Sequence, residues 1–345
     1  MVSMKDIAKK CGVSVATVSK ALNGYSDIGK EKREEIKRCA EEMGYFPNSS
    51  ARALKTNRTW NLGILITDNL HSGLTHSYFA AILDAIKVTA ERRGYDITFT
   101  SMSPVGGRKM SYYEHCRYRG LDGVVIANID FTSPDIIELV KSPLPIVTID
   151  YVYDGRTAVV SNNQKGMRDL TEYVCSMGHR QIAYIHGDDN TVTKERLASF
   201  YRTAEAYGVT VPDKWVLSSR YRDVGMTERR TRELLSQDSL PTCIFFPDDF
   251  SAVGGMNAIR SAGLRIPEDI SVCGYDGIPI AFAMYPRLTT LRQDTATVGK
   301  IAAEKLISLI ENPKVALIEK ISVDGELVKG DTVRRLYIPE FCHCR

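Results

Sequence analysis

The residues whose types and spacing best suit recognition chemistry lie near the amino terminus. In KDIAKKCGVSVATVSKALN (residues 5–23), Val15, Ala16 and Thr17 follow directly on Ser14, and Lys20 comes one helical turn later. Small apolar groups, a hydroxyl and a cation on one helix face suit contacts to base edges and backbone phosphates of a duplex. Their placement depends on the elements around them. Ser14 is a good N-cap, so a helix starts there with Val15, Ala16 and Thr17 in its first, outward-facing turn. A short preceding helix, about Met4 to Cys11, ends at Gly12, which supplies the tight turn. Ala8, Gly12 and Val18 fall where two steeply crossing helices need a small, a turn-forming and an apolar residue. Ile7, Val18, Ala21, Leu22, Ile36 and Ala40, closed by Tyr45, complete a miniature core with a third helix. The arrangement is a helix-turn-helix, which lays its second helix in the major groove.

Charge agrees with this reading. Residues 1–60 hold 12 Lys and Arg against 7 Asp and Glu, net +5, and the other 285 hold 33 against 35, net −2. Positive charge is concentrated where phosphates would be met, and its counterion release makes affinity fall steeply with salt.

The next segment, FPNSSARALKTNRTW (46–60), has Pro47 to stop the preceding helix, Asn48 or Ser49 to cap a new one, and barely a turn and a half from Ala51 to Lys55. A helix so short is marginal alone. Leu54 followed by Lys55 fits a minor-groove wedge, and spacing alone fits an ordinary linker equally well.

Length and composition fit a small head on a larger body. The 285 residues after the head exceed one typical domain, and 43% apolar residues over the chain supply substantial cores. No apolar run approaches the ~18 residues of a membrane helix. Met1 leads straight into a charged helix without a signal-peptide pattern, so a cytoplasmic protein is expected. The eight cysteines are scattered, most in apolar segments, and are expected as reduced thiols. Cys342, His343 and Cys344 are adjacent tail residues and make a poor tetrahedral site, so neither metal nor cofactor is expected.

From Asn61 onward, short Val- and Ile-rich runs alternate with helical periodicity. LGILIT, YDITFTS, DGVVIA and LPIVTID form one set of strands; QIAYIHG, WVLSS, TCIFFP and SVCGYD form a second. Continuous apolar runs indicate strands buried on both faces, hence parallel sheets wrapped by helices. Helices are expected near Tyr78 to Arg93, Lys109 to Tyr118 and Ser133 to Lys141. LTTLRQD (288–294) crosses back, and Val298, Ala302, Leu306 and Leu309 stripe a helix from Thr295 to Glu311 that returns to the first set. The fold class is α/β: an all-α head plus two doubly wound lobes, with ligands expected at the carboxyl ends of the strands, between the lobes.

These segments together resemble the lactose-repressor/galactose-repressor (LacI/GalR) family over essentially the whole chain. The most specific pieces are KDIAKKCGVSVATVSKALN, GYFPN and ARALK in the head. GLDGVVI, MGHRQIAYIHG, ERLASF, RIPEDISVCGYD and LTTLRQD follow in the family's order. The resemblance implies a helix-turn-helix head at 1–47, a hinge helix and linker at 48–60, and a periplasmic-binding-protein-like core at 61–345. Its N-lobe would take about 61–161 and 293–324, its C-lobe about 162–292 and 325–345. It also implies a homodimeric repressor on a near-palindromic operator: Val15, Ala16 and Lys20 touch base edges, Thr17 lies near the backbone, and Leu54 wedges at the centre with Lys55 beside it.

For the core, the resemblance places Tyr78, Phe79 and Tyr221 as aromatic faces in the cleft, Arg196 as a fork on effector oxygens, Asp276 as acceptor for ligand hydroxyls, and Asp249 at a neighbouring loop. On local sequence alone, Arg196 equally suits an exposed helix position and Asp249 a helix cap. Two departures stand out. VVSNN puts Ser161 where relatives carry aspartate, and the longer loop DNLHSGLTHS brings His71 and His76 near the cleft mouth, where they suit an anionic effector or none. The effector class read from this is carbohydrate. A protein corepressor, a non-sugar effector, a sugar-binding transport protein and a sugar-modifying enzyme are the alternatives. The transport protein has no use for a basic head, and the chain has no GxSxG, HExxH or P-loop motif.

Lys20→Ala is expected to relax sequence choice at one base pair by roughly 1–3 kcal/mol, more than it lowers overall affinity. Selection from random duplexes that returns an unchanged preference would overturn the assignment.

Overall fold

The computed structural model describes residues 2–46, 53, 58–67, 73–100, 102 and 108–337. Leu54, Lys55, His71, Cys342 and Cys344 lie outside the described residues. The chain divides into two compact units, Met1–Thr59 and Trp60–Arg345.

In the first unit, α1 (Met4–Cys11), α2 (Val15–Leu22) and α3 (Lys30–Glu42) close around Ile7, Ala8, Val18, Ala21, Ile36, Cys39 and Ala40, with Leu22 and Tyr45 packed against them. The ends are set locally. The Asp6 carboxylate accepts from the backbone N–H of Ser3 at 2.9 Å, Gly12 ends α1 at φ 62°, and Ser14 Oγ accepts from Thr17 N at 3.0 Å. Open space surrounds the position a Gly12 Cβ would take, so glycine is required there for its left-handed backbone.

The second unit contains two six-stranded sheets. The first is all-parallel in the order β11-β5-β4-β3-β1-β2, from β1 (Asn61–Ile66), β2 (Asp96–Phe99), β3 (Gly123–Ala127), β4 (Ile146–Ile149), β5 (Thr157–Ser161) and β11 (Lys320–Val323). The second runs β12-β10-β9-β8-β6-β7, from β6 (Ile182–His186), β7 (Val216–Ser218), β8 (Cys243–Phe245), β9 (Ser271–Asp276), β10 (Thr289–Arg292) and β12 (Glu326–Val328). Only β12 is antiparallel to its neighbour. The chain therefore passes between sheets three times, after β5, after β10 and after β11. Every residue of β3, β4 and β5 is buried, as strands covered on both faces by helices require.

The helices of this unit are α4 (Ser77–Arg92), α5 (Tyr112–Tyr118), α6 (Pro134–Lys141), α7 (Asn163–Ser176), α8 (Thr191–Ala206), α9 (Val224–Leu235), α10 (Asp249–Ser261), α11 (Pro279–Ala283) and α12 (Thr295–Glu311). Val298, Ala302 and Leu306 of α12 enter the core of the first sheet together with Ile82 and Ile86 of α4. α5 starts three residues later than the Lys109 expected from sequence. Ser111 caps it, with Ser111 Oγ accepting from Glu114 N at 3.3 Å and Glu114 Oε2 accepting from Ser111 N at 3.1 Å.

His179, fully buried, ties the returning C-terminal segment to the second sheet. One ring nitrogen lies 3.0 Å from the Arg334 carbonyl and the other 2.9 Å from Thr242 Oγ1. The carbonyl can only accept, so Nε2 carries the proton and Nδ1 accepts. Burial pushes this imidazole down to about 4. An unfolded chain takes up a proton below pH 6.5 where the folded one does not, so the stability His179 contributes is full above that pH and declines towards pH 4. His179→Gln is expected to cost roughly 1–3 kcal/mol at pH 7. The difference from the parent should shrink as pH falls from 6.5 to 4 in denaturant unfolding, and a difference independent of pH would refute the neutral latch.

Candidate functional site

On the first unit, Val15, Ala16 and Lys20 are exposed on α2 and Thr17 is half-buried, its hydroxyl 2.9 Å from Ser14 Oγ. Lys20 Nζ meets Asp27 Oδ2, an exposed pair that contributes little to stability and exchanges readily for a phosphate or a base edge. One helix thus presents small, apolar and cationic groups side by side.

On the second unit, a cavity of about 660 Å3 opens at the strand ends of the two sheets. Tyr78, Phe79, Arg196, Tyr221 and Asp276 all line it, as does His76. The Tyr78 hydroxyl donates to Asp150 Oδ2 at 2.7 Å and lies 3.2 Å from Ser161 Oγ, and the N–H of Ser161 donates to Asp150 Oδ1 at 3.0 Å. Asp150, which ends LPIVTID, was given no role by the sequence and is the carboxylate at the centre of this wall. Burial pushes its carboxyl up, while the Ser161 N–H and the Tyr78 hydroxyl pull it back down.

Arg196 on α8 is buried rather than exposed. Its Nε donates to Asn163 Oδ1 at 2.9 Å, Nη1 donates to the Pro247 carbonyl at 3.1 Å, and Nη2 lies 3.9 Å from Asp276 Oδ1. Its guanidinium carbon sits 3.5 Å from the centroid of the Tyr275 ring. Asp276 Oδ1 accepts from Gln293 Nε2 at 2.7 Å. Tyr221 is fixed by Thr193, whose hydroxyl is 2.7 Å from its own, and by Gly187, where a Cβ would lie 2.3 Å from the ring.

Two expected site residues stand behind the cavity and do not line it. Ser161 reaches it only through Tyr78 and Asp150. Asp249 is fully buried, accepting from Ile278 N at 2.8 Å and Thr290 Oγ1 at 2.5 Å, and it braces the strand end that carries Asp276. The cap of α10 is Asp248, whose Oδ1 accepts from Ser251 N at 2.8 Å and which does line the cavity. Asp248 is the extended N-cap and Asp249 the first helical residue, so their side chains leave the chain in different directions, which the sequence pair alone does not resolve.

The backbone marks the same place. Of the five described non-glycine residues with positive φ, four line the cavity: Asn128 (φ 47°), Asp150 (φ 56°), Arg222 (φ 59°) and Asp276 (φ 101°). Such conformations cost of order 1–3 kcal/mol each and cluster where a structure holds a ligand. Among the described residues, no group of His, Cys, Asp or Glu is placed to hold a metal ion, and no helix is long and apolar enough to cross a membrane.

Comparison with known proteins agrees with this architecture. Residues 3–48 match the model of bacterial regulatory proteins, lacI family, and residues 171–333 match that of a periplasmic binding protein-like domain. The chain is 31% identical over 340 residues to "Probable HTH-type transcriptional repressor ExuR" of Bacillus subtilis (strain 168), covering 97% of this chain and 99% of that one. It is also 31% identical over 316 residues to the ribose operon repressor of Haemophilus influenzae (strain ATCC 51907 / DSM 11121 / KW20 / Rd), covering 91% and 93%. A solved structure of the lac repressor dimer bound to operator and the anti-inducer ONPF superposes with a TM-score of 0.79 at 24% identity, covering 96% of this chain and 99% of that one. The chain belongs to the LacI family of bacterial regulatory proteins. It is a DNA-binding transcriptional regulator.

Burial pushes the Asp276 carboxyl up to about 7, Arg196 and Gln293 opposing and Asp248 and Asp150 reinforcing the shift. The folded chain then holds a proton between pH 4 and 7 that the unfolded chain releases, so this group's contribution to stability falls as pH rises through that window. The unfolding midpoint of Asp276→Asn, measured relative to the parent, is expected to be higher at pH 8 than at pH 5. An equal difference at both values would show that Asp276 is ionised throughout.

Proposed function

We propose that this chain is a homodimeric repressor whose grip on a near-palindromic operator is set by a carbohydrate bound between the two lobes of its core. The head takes residues 1–47, the hinge 48–60 and the core 61–345. α2 enters the major groove with Val15, Ala16 and Lys20 on base edges and Thr17 near the backbone, and Leu54 and Lys55 act at the operator centre. The effector meets Tyr78, Phe79, Arg196, Tyr221 and Asp276, with Asp150 added from the structure. Ser161 and Asp249 support these groups from behind.

The observation that carries the effector reading is the convergence, in one cavity, of a buried arginine fork, aromatic faces, and the strand-end carboxylates Asp150 and Asp276 on positive-φ backbone. That combination suits a ligand with many hydroxyls and an apolar ring face. The repressed operon of one relative is named for ribose, and the lac repressor was solved as a dimer on its operator with an anti-inducer. The chain acts without catalysis, in the cytoplasm, since its role needs a duplex and its relatives are repressors.

Effector and operator are coupled because a ligand that favours one pose of the lobes favours one state of the dimer. Such couplings are typically ~1–3 kcal/mol. A bound sugar is therefore expected to change operator affinity by roughly 5- to 150-fold, measured by fluorescence anisotropy on full-length chain at fixed salt. Silence across sugars, sugar phosphates and nucleobases, with operator binding intact, would favour a protein corepressor.

A further inference from the structure

The cavity carries two separate clusters, each pairing an aromatic face with a carboxylate. One is Tyr221 with Asp276 beside Arg196. The other is half-buried Tyr151, one face of which is covered by Phe131 (ring centroids 4.1 Å apart, planes 4° from parallel), with Asp130, the chain neighbour of Phe131, lining the same cavity. Asp130 is exposed and is ionised, its carboxyl held below the usual range by the N–H and hydroxyl of Thr132 at 2.9 and 2.5 Å. An aromatic face beside a hydroxyl acceptor is the pattern that receives one sugar ring, and here it occurs twice around one volume. A single pyranose packed at ordinary density fills roughly a third of the 660 Å3.

The charge of the walls restricts the ligand further. Among the described lining residues are six aspartates against three cations, Lys194, Arg196 and Arg222; Asp130, Asp188 and Asp189 are exposed, Asp150 is half-buried, Asp248 is buried, and Asp276, pushed up to about 7, carries its charge only in part at neutral pH. An anion reaching Lys194 would meet Asp189 3.1 Å from its ammonium, and one reaching Arg196 would meet Asp276 3.9 Å from its guanidinium. A phosphate or carboxylate entering here would face like charge in a partly desolvated cleft.

We propose that the effector is an uncharged glycoside of two rings, one held by Tyr221, Asp276 and Arg196 and the other against Tyr151, and that the aspartate lining rejects phosphorylated and carboxylated sugars. This rests on the carbohydrate reading above and narrows it. The test is isothermal titration of the full-length chain with glucose, galactose and ribose, with maltose, cellobiose, sucrose, trehalose and melibiose, and with a hexose monophosphate and glucuronate. At least one neutral disaccharide is expected to bind tighter than any monosaccharide, with no heat from the two anions.

Tyr151→Leu should then weaken that disaccharide roughly tenfold and leave monosaccharide binding within about twofold. Exposed Asp130→Asn gives the same selective loss in a variant certain to keep the stack, should Tyr151→Leu fail to fold. A monosaccharide or an anionic sugar that binds as tightly as the best disaccharide, or equal losses for one ring and two, overturns the two-ring site and leaves the carbohydrate reading standing. No heat from any sugar overturns both.

Discussion

The core is organised around one buried charge. Removing an arginine from water is affordable only if its donors and its charge are met inside the protein. Arg196 meets them with four groups from three places in the chain: Asn163 at the start of α7, the Pro247 carbonyl after β8, and, at the end of β9, the Asp276 carboxyl and the Tyr275 ring beneath the guanidinium plane. Each partner lies at a strand end or a helix start, so the charge is satisfied only when the second sheet and its helices are correctly stacked. Asp249 extends the same logic one step outward. Its two oxygens hold Ile278 N and the Thr290 hydroxyl, which pins the loop after Asp276 to β10.

How much of this was legible in the sequence depended on how local the cause was. The head was readable because its determinants act within four residues: Ser14 on Thr17, Gly12 through its own φ, and apolar spacing within single helices. The strands were readable because burial on both faces leaves an unbroken Val and Ile run. Asp276 was singled out by the resemblance, with its position just past such a run as the local check. Asp150 ends LPIVTID in the same way and was passed over, although an aspartate closing a buried strand was the available signal.

Burial of Arg196 was not legible, because KERLASF shows no apolar stripe around it and the groups that bury it lie up to 80 residues away in the chain. Asp249 was misplaced for a related reason. Of two adjacent carboxylates at a helix start, one turns to the cavity and one to the sheet, where the missing side chain of Gly274 leaves room for the Asp249 carboxyl. Ser161 was read as a site residue because the resemblance puts it where relatives carry aspartate, while Tyr78 and Asp150, which bond to it, are the residues that line the cavity.

The two cavity walls draw their bracing from different sheets. Asp150 is held by Tyr78 and Ser161, all from the first sheet and its helix, whereas Asp276 and Arg196 are held by Gln293, Asn163 and Pro247 from the second sheet and its connections. Each wall is therefore rigid within its own lobe, and the cost of ordering these side chains is met on folding rather than on binding. A ligand that touches one wall alone has the same affinity in every pose of the lobes and shifts nothing. Only a ligand long enough to engage both walls distinguishes the poses, because its second set of contacts exists in one of them and not in the other. The separation of the two braced walls thus makes span, more than the strength of any single contact, the property by which a ligand gains control of the molecule.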